Sequence, residues 1–470
     1  MPLSIPFQNT YATLPPRFYT RQQAVPVKAP ELLAFNTKLA ERLGITPGDP
    51  TAMARVFSGN ETPPGADPLA QVYAGHQFGG FSPQLGDGRA LLLGEVVADG
   101  QRYDLQLKGS GPTPYSRRGD GRAWLGPVLR EYVVSEAMAA LGIPTTRALA
   151  AVTTGESVYR ETALPGAILT RVAASHIRVG TFQYFTARRD LDALRALYDY
   201  TRTRHYPEAQ TPDDLLEQVI ARQAELVARW MSVGFIHGVM NTDNTTLSGE
   251  TIDYGPCAFM DDYHPDTVFS SIDRNGRYAY SNQPRIIVWN MAQLATCLVP
   301  LCDDGEAAVE RFTALVHAMP SRIDAHWLRL FGARIGLAEA GEEDRTLITD
   351  LLDLMTAEGA DFTNTFRALG HGTARDRFSD RAAFDSWHSR WQRRVSRETD
   401  VPERMARANP AVIPRNHRIE QMIAAAVEGD LSLFERLMTS LATPFAEPDD
   451  LWLTRPPAPD ERVQATFCGT

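Results

Sequence analysis

The stretch that most constrains this chain is His237-Gly238-Val239-Met240-Asn241-Thr242-Asp243-Asn244, followed nine positions after Asn244 by Asp253-Tyr254-Gly255. The seven positions from His237 to Asn244 match the catalytic loop H-R-D-L-x-x-x-N of protein kinases, and Asp253-Tyr254-Gly255 stands where D-F-G would follow. An Asn and an Asp at this separation can close on Mg²⁺ as hard oxygen ligands while phosphate oxygens and water complete the shell. The pair therefore reads as two metal-binding loops of a phosphoryl or nucleotidyl transferase. One position departs from that pattern: the site of the kinase catalytic Asp holds Val239, and a carboxylate comes instead at Asp243.

Upstream, the apolar run Ala90 to Val97, the turn Asp99-Gly100 and the run Tyr103 to Leu107 predict a β-hairpin whose second strand ends in Lys108. Gly86-Asp87-Gly88 precedes the first strand. Glycines that let backbone approach phosphates, with a Lys at the end of the next strand, form the layout of a kinase N-terminal lobe. The segment Gly109 to Arg122 reads either as a solvated loop or as a second phosphate-facing loop, since its glycines and arginines suit a polyanion. Pro127 is placed as the first residue of a helix running to Leu141, stopped by Gly142-Ile143-Pro144. That helix carries Glu131 and Glu136, and spacing leaves open which of them pairs with Lys108. Strands are predicted over Ala148 to Thr153 and Ala167 to Val172 around a turn near Thr154-Gly155. Arg171 and Arg178 follow, two guanidinium forks suited to phosphate oxygens. Helical patterns dominate Leu191 to Phe235, the last from Pro212 to Val233.

These signals predict an α+β, bilobed protein-kinase-like fold with additions at both ends. Residues 1–70 read as an N-terminal extension with one helix from Pro30 to Leu43, closed by Gly44. Residues 71–165 read as the N-lobe, 166–305 as the C-lobe with catalytic and metal loops, and 306–470 as a helical extension with a Pro- and Asp-rich tail, extended or mobile, after Pro444. The run Ile286 to Cys302 is broken by Asn290, Gln293 and Pro300, so it predicts a buried helix rather than a membrane span. A net charge of −10 argues against nucleic-acid and anionic-membrane partners. The N-terminus has no basic or apolar leader pattern, and the four cysteines have no zinc spacing, so a reducing cytoplasm is expected. Cys297 and Cys302 read as core residues. Nothing requires an oligomer, and a monomer is expected.

The sequence resembles the selenoprotein O family of kinase-like protein adenylyltransferases. The likeness is carried by Tyr73-Ala74-Gly75-His76-Gln77-Phe78-Gly79, Gln84-Leu85-Gly86-Asp87-Gly88-Arg89, Leu107-Lys108-Gly109-Ser110-Gly111-Pro112-Thr113-Pro114-Tyr115-Ser116-Arg117 and Gly119-Asp120-Gly121-Arg122-Ala123. It continues through the His237 to Asn244 loop, Ile252-Asp253-Tyr254-Gly255-Pro256 and Ile413-Pro414-Arg415-Asn416. The resemblance implies ATP bound end for end relative to kinases, with AMP passed to a Ser, Thr or Tyr hydroxyl of a protein and pyrophosphate leaving. It implies that Lys108 contacts the phosphates and pairs with Glu131. Gly86, Gly88, Arg89, Asp120, Gly121, Arg171 and Arg178 would hold the nucleotide. Asn244 and Asp253 would bind Mg²⁺, with Mn²⁺ as a substitute, and Asp243 would accept the proton.

The charges make sense of this reading, because Lys108, Arg171, Arg178 and Arg89 suit a pyrophosphate leaving group. Asp243 stands open between proton acceptor and member of the metal shell. Two other readings are a kinase-like phosphotransferase, opposed by Val239, and a nucleotide-binding pseudokinase scaffold, opposed by the intact Asn244 and Asp253. Cys468 occupies the position of the family's selenocysteine, and its place suggests a regulatory disulfide with Cys257.

Overall fold

The turn at Asp99-Gly100 organises the sheet. Both residues take positive φ, 51° and 73°, as a two-residue turn matched to strand twist requires. It joins Ala90–Ala98 to Gln101–Lys108 in antiparallel register, with Ala98 opposite Gln101 and Ala90 opposite Lys108. The computed structural model describes residues 2–467. Its main sheet runs in the order Tyr19–Arg21, Leu69–Gln71, Ala90–Ala98, Gln101–Lys108, Ala163–Ala173, Arg147–Tyr159, Glu31–Phe35. The short strand Ala123–Trp124 pairs with Ala163–Ala173 beside this path.

Two local expectations are corrected. No helix spans Pro30 to Leu43: Glu31–Phe35 is a strand, and only Thr37–Arg42 is helical, its N-terminus capped by the Asn36 side chain accepting from Leu39 N. Leu32 and Phe35 fit either period, and pairing with Arg147–Tyr159 decides for strand. The turn of the next hairpin lies between Tyr159 and Ala163, not at Thr154-Gly155. Gly155 sits inside the strand with φ +65°, where a Cβ would come 2.6 Å from the Ala29 Cβ. That glycine serves close backbone approach rather than a reversal.

The helix carrying Glu131 is Leu125–Ala140, so Pro127 falls within its first turn, where no intrahelical N–H is needed. It packs against the sheet and against two C-terminal helices, Asn416–Val427 and Ser432–Leu441. Beyond the sheet, Pro212–Ser232 opens with a capping box: Thr211 Oγ1 accepts from Asp214 N, and Asp214 Oδ2 accepts from Thr211 N. This helix packs on Gln283–Leu298 and on the long Gly305–Arg334 helix. Gln283–Leu298 buries Ile286, Ile287, Met291, Leu294 and Leu298, as the apolar run predicts. Cys297 is buried beside them, and Cys302 is half-buried. Among the described residues no helix is long and apolar enough to cross a membrane. The architecture is mixed α/β with a helical C-terminal region.

The tail is extended but anchored. Thr466 N donates to Phe269 O at 2.7 Å, and Thr466 Oγ1 donates to Pro256 O at 2.6 Å, just past Asp253-Tyr254-Gly255. Trp452 lies between Arg418 and Arg436, each guanidinium 4.2 Å from its ring centroid. Cys468 lies outside the described residues, and so does its pairing with Cys257, which is buried.

Candidate active site

Strand register brings the first cations together. Leu169 stands opposite Lys108, which puts Arg171 two positions further along the neighbouring strand, on the same face. Lys108 Nζ lies 2.6 Å from Glu131 Oε2 and 2.9 Å from Asp253 Oδ1. Arg171 Nη1 lies 2.6 Å from Asp253 Oδ1 and 3.2 Å from Glu131 Oε1. Glu136, one turn and a half along the helix, bonds Arg147 and Asn36 instead. The choice that spacing left open thus falls on Glu131.

Asp253 takes a left-handed backbone, φ +60°, which aims its carboxylate back toward the sheet. Arg178 Nη2 approaches its other oxygen at 3.5 Å. Burial alone would raise the Asp253 carboxyl, but the charges of Arg171, Lys108 and Arg178 overcome that and hold it well below the usual carboxylate range. Arg178 also stacks over Tyr73, 4.3 Å from the ring centroid, and faces Asp87 Oδ1 at 3.7 Å.

Two supporting residues escape sequence reasoning. Asp87 Oδ2 accepts from Gln71 N and from Gln106 Nε2, each at 3.1 Å, while Gln106 Oε1 accepts from Arg171 Nη2 at 2.6 Å. Burial pushes Asp87 up to about 6, against the lowering pull of Arg178. Asp87 lies within the quoted Gly86-Asp87-Gly88, and Gln106 shares the Lys108 face of its strand at a period of two; those were the available signals.

The His237 to Asn244 loop is held from both sides. His237 is buried, with Nε2 2.9 Å from Ile252 O, and Val239 is buried in the core. Thr242–Asn244 form a single 3₁₀ turn. The hairpin Gly75–Gln77 and Gly80–Ser82 lies across this turn. His76 N donates to Thr242 Oγ1 at 2.7 Å, Phe78 N to Asn241 Oδ1 at 3.1 Å, and Gln77 Nε2 to Asp243 Oδ2 at 3.0 Å. A Cβ at Gly75 would meet Asp243 Oδ1 at 2.5 Å, so only glycine permits this approach. Asp243 Oδ1 is buried without a hydrogen-bond partner among the described residues. Burial pushes the Asp243 carboxyl up to about 6, with the Gln77 hydrogen bond and Arg178 opposing.

One cavity of about 790 Å³ joins these parts. Its walls carry Gly86, Gly88, Arg89, Lys108, Asp120, Gly121, Arg171, Arg178, Asp243, Asn244 and Asp253. Glu131 stands behind Lys108 rather than on the wall. Gly86 has φ +104°, and a Cβ there would strike the Tyr115 ring at 2.6 Å. Asp120 is exposed on the outer rim, clamped by Arg160 at 2.8 and 3.2 Å. Arg89 forms no ion pair among the described residues.

The oxygen donors fit a hard divalent cation. Asn244 Nδ2 donates to Val239 O at 2.9 Å, which fixes the amide and leaves its oxygen as the remaining acceptor. Asp253 and the unpartnered Asp243 Oδ1 belong to the same cavity. No group of three or more His, Cys, Asp or Glu among the described residues is placed to hold a metal alone, so phosphate and water would complete the shell.

Comparison with known proteins places the chain in the class of protein nucleotidyltransferases. More particularly, it belongs to the SelO family: the model of that family, described as protein adenylyltransferase SelO, matches residues 2–442. The chain is 67% identical over 472 residues to the protein nucleotidyltransferase YdiU of Ruegeria sp. (strain TM1040), covering 100% of both chains. It is 60% identical over 480 residues to the protein of that name from Jannaschia sp. (strain CCS1), and 56% identical over 491 residues to that of Bradyrhizobium diazoefficiens, again with 100% of both chains covered.

Proposed function

We propose that this protein transfers AMP from ATP to Ser, Thr or Tyr hydroxyls of proteins and releases pyrophosphate, on a bilobed protein-kinase-like fold with ATP turned end for end. The lobes would span residues 71–165 and 166–305, with an extension before and a helical extension after. The observation that carries the reading is the meeting of Lys108, Arg171 and Arg178 on Asp253, within the cavity that Asp243 also lines. These three cations, held in place by Glu131, Asp253 and Asp87, offer preorganised donors that can turn to a leaving pyrophosphate, and a low-dielectric site makes such contacts stronger than water would.

In this reading the acceptor oxygen attacks the α-phosphorus, the bond from that phosphorus to the bridging oxygen breaks, and pyrophosphate leaves with its electron pair. Asp243 takes the hydroxyl proton; its unpartnered Oδ1 supports that role. Lys108, positioned by Glu131, and Arg171 and Arg178 hold the phosphates. Gly86, Gly88, Arg89, Asp120 and Gly121 line the rest of the nucleotide path. Asn244 and Asp253 would hold Mg²⁺, or Mn²⁺ in its place, which when bound supplies charge neutralisation at phosphate oxygens. The protein would work as a cytoplasmic monomer, and its net charge of −10 supports the lack of nucleic-acid and anionic-membrane partners.

ATP labelled at the α or the γ phosphate tests the reading. Label passing from the α position to the protein itself or to lysate proteins upholds it. Label from γ alone would make the protein a phosphotransferase, and no label at all a nucleotide-binding scaffold.

A further inference from the structure

A second cavity, about 450 Å³, opens beside the first, and Phe78 lines both. Its chemistry is unlike the rest of this acidic chain. Arg285 lies in the first turn of Gln283–Leu298 and is exposed, with Trp289 four residues later on the same helix face. Arg277 stacks on Trp289 with its guanidinium carbon 5.0 Å from the ring, and its Nε is buried without a hydrogen-bond partner among the described residues.

Neither Arg277 nor Arg285 has a carboxylate within ion-pair distance among the described residues. Asp273, the neighbouring acid in sequence, is buried and occupied by the backbone amides of Arg277 and Tyr278 at 2.9 and 2.7 Å. Two uncompensated arginines in a protein of net charge −10 are set against the general charge of the molecule. The other walls of this cavity are Phe78, Ile286 and Trp289 with Asn275 and Asn282; nearby Phe78, Phe81 and Ile272 are 37%, 42% and 59% exposed, and Ile272 lines the nucleotide cavity. Exposed aromatic side chains beside arginines are typical of protein-recognition surfaces.

The position of this groove gives it a role. Phe78 follows Gln77, whose amide holds Asp243, so the groove starts one residue from the contact to the proposed proton acceptor. We infer that the groove bounded by Phe78, Arg277, Arg285 and Trp289 seats the acceptor protein, and that it selects segments carrying Asp or Glu beside the reacting hydroxyl. This inference rests on the adenylylation reading for the identity of the reaction. Charge complementarity sets the partner's sign, and the aromatic walls suit the backbone and apolar stems of an extended segment.

The test uses the full-length protein and three fluorescent peptides with one Thr each, flanked by Asp and Glu, by Ala, or by Lys. Anisotropy measures binding, and α-labelled ATP measures transfer. The acidic peptide should bind and react best, with kcat/KM exceeding that of the Ala peptide by about fivefold through KM. Arg285→Glu should reverse the order, so that the Lys peptide leads, while the affinity for a fluorescent ATP analogue stays as in the wild type. Equal binding of all three peptides would overturn the groove assignment even if label is transferred, leaving the adenylylation reading in place. Acidic preference in anisotropy, with no label from ATP reaching the peptides, the protein itself or lysate proteins, would uphold the groove and overturn that reading. A loss of ATP affinity in Arg285→Glu with unchanged peptide order would give the groove to the nucleotide and overturn the inference.

Discussion

Gln77 Nε2 donates a hydrogen bond to Asp243 Oδ2 over 3.0 Å, so a side chain 166 positions upstream orients the carboxylate of the central loop. The contact occupies one oxygen and leaves Oδ1 without a hydrogen-bond partner among the described residues. Its neighbours on the hairpin, His76 N and Phe78 N, grip Thr242 and Asn241 in the same way. The Tyr73 to Gly79 motif, quoted in sequence only for its family likeness, is a clamp on the loop that follows far downstream.

Gln77→Ala should therefore lower kcat while leaving the KM for ATP unchanged, because the residues proposed to hold the nucleotide are others on the same cavity wall. Loss of one hydrogen bond to a buried carboxylate corresponds to about tenfold or more in rate. Asp243→Asn should remove about a thousandfold. Steady-state transfer of α-label measures both, and a rise in KM alone would reassign Gln77 to nucleotide binding.

Arg171→Met and Lys108→Met should separate fold from activity. Arg171 is almost wholly buried between Glu131 and Asp253, and its removal leaves those carboxylates short of a cation, a loss of about 3–5 kcal/mol. Lys108 is partly solvated, so Lys108→Met should unfold at a denaturant midpoint closer to the wild type yet transfer no label. Equal midpoints for the two variants would count against a structural role for Arg171.

Chelation with EDTA should stop transfer, and added Mg²⁺ should restore it. Asn244→Ala should raise the Mg²⁺ concentration needed for half-maximal rate by at least about tenfold. Asp253→Ala should stay inactive at any Mg²⁺ concentration, and activity retained in that variant would break the assignment of both residues.

Arg415→Met tests how the C-terminal helices brace the site. Arg415 is buried and pairs with Asp361 at 2.8 Å and with Asp261, eight residues beyond Asp253. Burial pushes Asp261 up to about 6, with Arg415 opposing. Removing the arginine leaves two buried acids together, and chemical denaturation should show a loss of about 3–5 kcal/mol. A loss below about 1 kcal/mol, the range of an exposed pair, would contradict the buried bridge.

Glu250 sets a pH dependence of stability. Burial raises its carboxyl from 4.5 to about 7, opposed by hydrogen bonds from Ala174 N and Ser248. A raised folded-state value means its contribution is fully present below pH 4.5 and is lost as pH rises through about 7. Glu250→Gln should then match the wild type near pH 4.5 and exceed it at pH 8 by about 2 kcal/mol, less than the full shift implies because the residue is only half-buried. Thermal melts across that window measure the difference, and a wild type more stable than the variant at pH 8 would reverse the assignment.

Periodicity carried much of the fold. The Ala90–Ala98 and Gln101–Lys108 hairpin and the Pro212–Ser232 helix follow from apolar runs, helical periodicity, turn chemistry and capping residues lying in or beside each segment. Glu31–Phe35 was illegible because its apolar spacing fits helix and strand alike, and the neighbouring strand breaks the tie. Gly155 reads as a turn because sequence shows a residue able to bend, not the Ala29 backbone that needs the space.

The sequence by itself determined the residue types of the cavity: the Asn244 and Asp253 oxygens, Lys108 at a strand end, and arginines at Arg171 and Arg178. These are legible because the metal-ligand and phosphate-binding roles proposed for them each demand a particular functional group, and loop spacing restricts where it stands. Only the tertiary structure decided between Glu131 and Glu136, since reach across a helix–sheet gap depends on rotation of the helix about its axis. It alone put Gln77 on Asp243 and joined Arg178, Asp87, Gln106, Arg171, Glu131 and Lys108 into one network. Those partners are distant in the chain, and a buried charge is compensated by whatever neighbour packing supplies, which no local pattern encodes.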